Sequence, residues 1–285
     1  MEDLASQATR APLISIVTVV YNGEATIEGT LRSVREQSYP NVEHIVIDGG
    51  STDGTLEVIQ RHADTLGFWI SEPDRGIYDA MNKGIARARG EWIHFLNVGD
   101  LFLGKDTLQE LFAEDHSAEW SDSEEGRPAD LVYGNHQSDY GYFQRIHIPP
   151  PLRKISKGMV FSHQAMFVRT THMKEHPFDL RYRLSSDFDF IYRLFRRHAR
   201  FVYVNQVIAS LEAGGISEVT ITKTHAERWA IARGYERSVS RLLLDADYAL
   251  NLARLHLIQL TKKVLPAPLS RWLTRLKYGK IAGRG

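Results

Sequence analysis

Residues 13–54 decide the fold of this chain: they read LISIVTVVYNGEATIEGTLRSVREQSYPNVEHIVIDGGSTDG. Residues 13–20 and 42–48 are short runs rich in β-branched residues, bounded by Pro, Asn and Gly, as is typical of buried strands. Residues 25–37, between them, repeat apolar side chains at helical spacing. The stretch therefore predicts a βαβ unit, in which the helical crossover makes the two strands parallel.

The alternation of strands and helices continues along the chain. Helical spacing recurs in residues 55–63, 78–88 and 186–197, and strand-like runs occupy 68–71, 91–96, 131–134, 164–168 and 201–207. This pattern predicts an α/β domain with a doubly wound, mostly parallel sheet over residues 12–217. Residues 218–285 are predicted to form a helical C-terminal extension.

The composition is that of an ordinary globular protein. Of the 285 residues, 43% are hydrophobic and 25% are charged, which suffices for a substantial core. The chain has no cysteine, so disulfides and thiolate metal sites are excluded. The acidic start, Met1-Glu2-Asp3, is unlike a secretory signal, and no apolar run approaches the ~18 residues of a spanning helix. We therefore expect a cytoplasmic protein.

The net charge of zero hides an uneven distribution. Residues 251–285 carry eight basic and no acidic side chains, whereas the other 250 residues carry 27 basic and 35 acidic ones. Within residues 248–285, apolar side chains recur at helical spacing among the basic ones. Such a segment packs on the body of the protein or lies peripherally on an anionic membrane, here the inner face of the cell membrane. The sequence leaves both alternatives open. Nucleic-acid binding is not expected, because no aromatic and basic platform accompanies the charges.

Polar turns follow the apolar strands of the N-terminal half. Tyr21-Asn22 follows the first strand, Asp48-Gly49-Gly50-Ser51-Thr52-Asp53-Gly54 follows the second, and Asn97-Val98-Gly99-Asp100 ends the strand at 91–96. A further acidic segment, DRGIYDAMNKG, occupies residues 74–84. In parallel α/β sheets, ligands bind where the carboxyl ends of strands open onto such turns.

These motifs resemble those of the inverting glycosyltransferases of family 2, in a branch of bacterial polysaccharide-biosynthesis type. The resemblance covers about residues 12–217 and is strongest over residues 13–100. It implies a GT-A fold and the transfer of a sugar from a UDP-, GDP- or dTDP-sugar to a glycan or lipid-linked acceptor. It also implies Mg²⁺ or Mn²⁺ as a cofactor.

The resemblance indicates which residues hold the donor. They are Tyr21, Asn22, Asp48, Gly49, Ser51, Asp53, Asp79, Lys83 and His163. A tyrosine ring suits stacking on a base, and Asp48 can accept from a base N–H or a ribose hydroxyl. The family commonly has two consecutive acids at this turn, whereas the second position here is Gly49.

Simpler structural roles are open for several of these residues. The Gly-rich turn can be tight geometry alone, and Asp53 is expected to N-cap the helix that follows. Asp79 and Lys83 have helical i,i+4 spacing, which allows a surface ion pair. His163 can be structural, or can contact the donor phosphate, the metal or the acceptor.

Asp100 is the expected metal ligand. The turn from Asn97 to Asp100 occupies the place of the Asp-X-Asp element with which the family binds Mg²⁺ or Mn²⁺ between diphosphate oxygens. Asp100 is the carboxylate that remains, and Asn97 is a weaker oxygen donor. Helix capping by Asp100 is not expected, because the next helix is predicted to begin only near Gly104.

Asp187 is the expected general base. Residues 185–190, SSDFDF, match the acidic pair that opens a helix in the family, and Asp187 takes the place of its second residue. Such a carboxylate removes the proton of the acceptor hydroxyl while the diphosphate leaves from the opposite face. Asp189 is the alternative base. The structural alternative is that Ser185 and Asp187 only cap the helix.

Two other classes of function are open. A sugar nucleotidyltransferase would also use an α/β sheet, but its basic, Gly-rich triphosphate loop is poorly matched by Tyr21-Asn22-Gly23-Glu24. A non-catalytic nucleotide-sugar binder or scaffold would fit the reduced metal motif.

Overall fold

The computed structural model describes residues 11–113, 127–141, 143–212 and 220–264. Within these ranges one sheet contains nine strands. They are β1 (Ile14–Val20), β2 (Val42–Asp48), β3 (Phe68–Ser71), β4 (Trp92–Phe95), β5 (Leu101–Phe102), β6 (Leu131–Asp139), β7 (Gln144–His147), β8 (Met166–Arg169) and β9 (Phe201–Glu212). The α-helices of the same ranges are α1 (Ile27–Arg35), α2 (Thr55–Arg61), α3 (Ile77–Arg87), α4 (Thr107–Phe112), α5 (Thr170–Glu175), α6 (Ser186–Arg196), α7 (Ile221–Tyr235) and α8 (Ser238–Val264).

The strand order across the sheet is β3-β2-β1-β4-β8-β6-β9-β5, with β7 paired to β6. The first four of these strands are parallel, as the βαβ pattern predicts. β8 runs antiparallel to both of its neighbours, β4 and β6, whereas β6 and β9 are again parallel. The sheet is therefore mixed but largely parallel, which confirms the predicted α/β class.

The core lies on both faces of the sheet. β1 is buried along its whole length, because helices cover both of its faces. Val17 and Val19 point into a core shared with α3, α6 and α7, whereas Ile14 and Ile16 point into one shared with α4. This placement leaves the carboxyl ends of β1, β2 and β4 facing the loops that carry the polar motifs.

The structure extends two strands beyond their predicted ends. β6 continues to Asp139 and β9 to Glu212, and they pair over this added length, with a register shift between Tyr133 and His136. The added residues of β6, 135–139, are polar, so no apolar periodicity reveals this part of the strand, whereas those of β9 include Ile208 and Ala209 of the core. β5 was not predicted, because two residues are too few for a pattern. α4 begins at Thr107.

The C-terminal helices pack on the α/β body. Ile231 and Ala232 of α7 and Leu244 of α8 are buried in the core that also contains α6. The expected boundary between residues 217 and 218 lies outside the described residues, as do residues 265–285. Within the described ranges, no helix has both the length and the apolar character that a bilayer span requires.

Candidate functional site

A cavity of about 850 Å³ opens at the carboxyl end of β4. Its lining includes Asn97, Asp100, His163, Gln164, Asp187 and Arg228. The expected metal ligand and the expected base therefore face one space, although they are far apart in the sequence. Residues of the two turns after β1 and β2 form a second cluster beside it.

The turn after β2 is organised around the carboxylate of Asp48, whose residue is fully buried. Its Oδ2 accepts the N–H groups of Gly50 and Ser51, at 3.2 and 3.0 Å, and the hydroxyl of Ser71 at 2.5 Å. Its Oδ1 accepts the hydroxyl of Ser51. Both oxygens of Asp48 are thus engaged within the protein, and this carboxylate shapes the turn.

Asn22 and Ser51 join the turns after β1 and β2. The Asn22 N–H donates to Ser51 Oγ at 2.7 Å, and Asn22 Oδ1 accepts the N–H of Thr52 at 2.8 Å. Asn22 has a positive φ of 52°, which asparagine tolerates better than most residues. Tyr21 is 61% exposed, so its ring is available to a planar ligand.

Asp53 ties the same turns to α2. Its Oδ2 accepts the Glu24 N–H and its Oδ1 the Thr55 N–H, each at 3.1 Å. The hydrogen bond from the Thr55 hydroxyl lowers the pKa of Asp53. The N-cap of α2 is Gly54, so the prediction that Asp53 caps this helix is wrong by one residue. Asp53 nevertheless satisfies one N–H of the first turn.

Asp79 and Lys83 pair with the loop before α3. Asp79 accepts from Arg75 Nη2 at 2.6 Å, and the same arginine lowers the pKa of Asp79. Lys83 Nζ lies 2.8 Å from Glu72 Oε1 and donates to the Pro73 carbonyl at 2.9 Å. Each residue thus has its own partner in residues 72–75, in place of the mutual ion pair that helical spacing allows.

Asp100 is the last residue of the turn between β4 and β5, and it is 7% exposed. Burial raises its pKa to about 7, although a hydrogen bond from Gln164 Nε2 to Oδ2, at 3.1 Å, opposes this shift. The N-cap of α4 is Asp106, so Asp100 caps no helix here. Asn97 Oδ1 is buried and has no hydrogen-bond partner among the residues that the structure describes.

These residues fit a hard divalent cation that also binds the substrate. An unpaired amide oxygen and a desolvated carboxylate border the same cavity, and oxygen ligands of this kind suit Mg²⁺ and Mn²⁺. Glu212 is a further carboxylate of the lining, and its charge contributes to the raised pKa of Asp100. Among the described residues, no three His, Cys, Asp or Glu side chains converge as a complete set of ligands. The remaining ligands would come from phosphate oxygens and water.

Asp187 lies in the first turn of α6 and is 5% exposed. Tyr78 donates its hydroxyl to Oδ1 at 2.9 Å, and His163 Nδ1 lies 2.9 Å from Oδ2. Burial alone would raise the pKa of Asp187, but the hydrogen bond and charge of His163, the charge of Arg228 and the hydrogen bond of Tyr78 together lower it. The carboxylate therefore stays ionised at neutral pH.

The helical geometry of α6 separates the two candidate bases. Asp189 follows Asp187 by two positions, about 200° around the helix axis. Its carboxylate pairs with Arg193 at 3.1 Å and accepts from the Tyr235 hydroxyl at 3.4 Å. Of these two carboxylates, it is Asp187 that lines the cavity.

His163 links the two halves of the site. Since ionised Asp187 only accepts, Nδ1 of His163 carries the hydrogen of their bond. Asn97 Nδ2 lies 3.2 Å from Nε2 of the same ring. The structure thus places His163 between Asn97, in the turn of the expected metal ligand, and Asp187, the expected base. Its contact with the donor phosphate, the metal or the acceptor stays a prediction.

Sequence reasoning missed three residues of the site. Tyr78 lies inside the acidic segment at 74–84 and Gln164 directly follows His163, but their partners, Asp187 and Asp100, lie far away in the chain. Arg228 lies on α7, beyond the region of resemblance, and no local pattern marks it. Its Nε is buried and has no partner within the described part of the chain.

The sequence is similar to those of known glycosyltransferases. The family model described as Glycosyl transferase family 2 matches residues 15–119. Over 229 residues, the chain is 32% identical to a PGL/p-HBAD biosynthesis glycosyltransferase of Mycobacterium bovis (strain BCG / Pasteur 1173P2), which covers 76% of this chain and 84% of that protein.

Solved structures share the fold. The mannosyltransferase PcManGT from Pyrobaculum calidifontis, in complex with GDP-Man and Mn²⁺, matches with a TM-score of 0.63 and 18% identity, over 94% of this chain and 80% of that one. TarS 1-349 of S. aureus, in complex with UDP, matches with a TM-score of 0.57 and 18% identity, over 85% and 71% of the two chains. At such identity the likeness shows the fold, which is the expected GT-A fold.

Proposed function

Because the chain belongs to glycosyl transferase family 2 and is a glycosyltransferase, we propose that it transfers a sugar, with inversion, from a nucleoside-diphosphate sugar to a hydroxyl of a glycan or lipid-linked acceptor. One observation carries this proposal: Asp187 and Asp100 face the same cavity, with His163 between Asp187 and Asn97. A scaffold and a nucleotidyltransferase are not supported, because the relatives are named glycosyltransferases.

Asp187 is the proposed base. Its carboxylate takes the proton of the acceptor hydroxyl while the hydroxyl oxygen bonds to the anomeric carbon. The bond from that carbon to the diphosphate oxygen breaks on the opposite face, and the nucleoside diphosphate leaves with the bonding electrons. A low pKa keeps Asp187 ionised, and the hydroxyl becomes more acidic as its new bond forms.

Tyr78 and His163 are proposed to orient this base. Tyr78 binds one carboxylate oxygen of Asp187 and His163 the other, so that the carboxylate keeps one orientation at the cavity. Mg²⁺ or Mn²⁺, held by Asp100 with Asn97 and phosphate oxygens, would offset the charge that develops on the departing diphosphate. Tyr21, Asn22, Ser51 and the ordered turn around Asp48 are proposed to receive the nucleoside.

Substitution of the base tests the mechanism. We expect Asp187→Asn to lower kcat by about 10²–10⁴-fold, with the affinity for the donor nucleotide nearly unchanged. The matched control, Asp189→Asn, should retain most of the turnover, because this carboxylate pairs with Arg193 away from the cavity. Release of nucleoside diphosphate measures turnover, and the anomeric proton coupling of the product measures inversion. Full turnover by Asp187→Asn, or a product with the donor's configuration, would contradict the proposal.

We also propose a peripheral contact with anionic membrane through α8. Five apolar side chains of this helix are between 65% and 73% exposed, at helical spacing: Val239, Leu242, Leu243, Leu250 and Leu257. We call them the apolar stripe. The acids of α8 face the body, since Asp245 bonds to Trp229 and Arg233, and Asp247 bonds to Lys157.

The charge around the apolar stripe favours a lipid surface as its occupant. Arg254, Lys262 and Lys263 follow Asp247 along α8, and residues 265–285 add five basic side chains, with no acid in residues 248–285. An apolar helix face combined with only basic charge is typical of a segment that lies in the interface of an anionic bilayer. Such a position would suit an enzyme with a lipid-linked acceptor.

A further inference from the structure

The turn after β2 lacks the second acid that the resemblance leads one to expect, since position 49 is glycine. A Cβ atom built on Gly49 would lie 2.4 Å from Asp74 Oδ2, and 3.5 Å from Cδ2 of the Tyr21 ring. The carboxylate of Asp74 therefore occupies the space in which a side chain of residue 49 would begin. It lies beside the exposed ring of Tyr21.

The carboxylate of Asp74 has one engaged oxygen and one free oxygen. Oδ1 accepts the N–H of Gly76 at 2.7 Å. Oδ2 has no hydrogen-bond partner in the part of the chain that the structure describes. The free oxygen is thus fixed in place over Gly49 and open to a ligand.

The loop that carries Asp74 is held on both sides. Lys83 holds Glu72 and the Pro73 carbonyl, and Arg75 is paired with Asp79. The N–H of Glu72 donates to the Asp48 carbonyl at 3.0 Å, which joins the loop to the end of β2. Through these contacts Asp79 and Lys83, which were predicted to bind the donor, instead hold the loop that carries Asp74. A fixed carboxylate binds with little loss of conformational entropy.

We propose that Asp74 recognises the base of the donor nucleotide, with Oδ2 accepting a hydrogen bond from a ring N–H. This inference rests on the proposed function and names the group that selects its nucleotide. A carboxylate only accepts hydrogen bonds. Uracil and thymine offer N3–H, and guanine offers N1–H and its amino group. Cytosine and adenine present a lone pair at the matching ring nitrogen, which the carboxylate repels. Asp74 therefore selects UDP-, dTDP- or GDP-sugars against CDP- and ADP-sugars.

Calorimetric titration of the full chain with UDP, dTDP, GDP, CDP and ADP, in the presence of Mn²⁺, tests the selection. We expect one of the first three to bind, and CDP and ADP to bind at least tenfold more weakly. Asp74→Ala should weaken the best ligand by about 10–100-fold, the usual effect of losing a hydrogen bond to a charged group. Asp64→Ala, a surface carboxylate away from the loop, is the matched control and should leave the dissociation constant unchanged.

A methylated base separates recognition from loop folding. The analogue of the best ligand with its ring N–H replaced by N–CH₃ should bind wild type as weakly as the parent binds Asp74→Ala. The variant itself should no longer distinguish parent from analogue. Equal binding of parent and analogue by wild type, or a variant that still distinguishes them, would overturn the assignment of Asp74.

A transplanted acid gives an independent check. Gly49→Asp alone should bind poorly, because its side chain would collide with Asp74. The double variant Gly49→Asp, Asp74→Ala removes that collision and should bind the nucleotide at least tenfold more tightly than either single variant. No such recovery would contradict the proposal that a carboxylate at this place recognises the base. If no nucleotide binds wild type, the proposed function fails. If nucleotide binds and Asp74→Ala has no effect, the inference fails alone.

Discussion

Glu43 shows how a single residue supports the fold at the amino end of β2, on the edge of the sheet opposite the candidate site. Its side chain is 6% exposed, and its Oε1 accepts the Ser15 hydroxyl at 2.5 Å and the Gly90 N–H at 3.0 Å, while Oε2 pairs with Arg89 Nε at 2.9 Å. We expect Glu43→Gln to lower the free energy of unfolding by about 2–3 kcal/mol at pH 7, because buried donors lose a charged acceptor. Urea unfolding measures this change.

The stability of the Glu43 contacts should depend on pH. Burial raises the pKa of Glu43, but the hydrogen bonds of Ser15, Arg89 and Gly90 outweigh it and the pKa is lowered. A carboxyl group whose pKa is lower in the folded state than in the unfolded state, where it is about 4.3, stabilises the folded protein at pH values above the unfolded pKa. This stabilisation is lost as the pH falls through the folded-state pKa. The wild-type curve of stability against pH should therefore fall more steeply in acid than that of Glu43→Gln. Parallel curves would contradict this. Glu57→Gln, at an exposed position of α2, should change stability by less than about 0.5 kcal/mol.

At the scale of elements, the packing of α3 on β1 depends on Gly84. A Cβ atom at Gly84 would lie 2.4 Å from Cγ1 of Val17, so the helix contacts the strand through its backbone. Gly84→Ala should lower the free energy of unfolding by about 1–2 kcal/mol, since overpacking costs about 1–3 kcal/mol and helix propensity returns up to about 1 kcal/mol. Thermal and urea unfolding measure this change.

A second helical glycine provides the control. A Cβ at Gly234, in α7, meets no atom within 4 Å. Gly234→Ala should therefore stabilise the protein by about 0.5 kcal/mol through helix propensity. Adding Val17→Ala should make Gly84→Ala less costly than it is alone, because the two changes share one contact. If Gly84→Ala and Gly234→Ala changed the free energy of unfolding equally, packing against β1 would not be the cause of the loss in Gly84→Ala.

At the scale of the whole molecule, the apolar stripe and the basic C-terminal residues should act together. We expect the protein to co-sediment with vesicles that contain phosphatidylglycerol, and much less with vesicles of phosphatidylcholine alone or at high salt. The double variant Leu242→Asp, Leu250→Asp should lose binding at least about tenfold, because a buried leucine contributes about 1.5–3 kcal/mol. Leu103→Asp, an exposed position outside the stripe, is the control.

The main competing occupant of the stripe is a second copy of the chain. Analytical ultracentrifugation without vesicles distinguishes the two. A stable dimer that the double variant dissociates, with no binding of wild type to anionic vesicles, would contradict the membrane contact.

Local patterns determined the first half of the fold. β1, β2, β3 and the helices between them follow the sequence prediction closely, because buried parallel strands and amphipathic helices repeat their apolar residues with fixed periods. The polar turns at the strand ends follow from the same pattern, so the region of the site could be located from sequence. The full length of β6 could not, since its residues 135–139 are polar and are held by pairing with β9.

The tertiary structure alone decided which side chains meet. The sequence offers Asp187 as the expected base and Asp189 as the alternative, and the orientation of α6 against the sheet places Asp187 in the cavity and Asp189 against Arg193. The carboxylate over Gly49 belongs to Asp74, a residue that no spacing rule joins to position 49. Periodicity records the environment of each residue along its own element, whereas a contact between elements depends on how both pack on the sheet. Apolar periodicity therefore predicts most of the elements and the motifs predict the class of chemistry, whereas packing between elements sets the geometry of the candidate site.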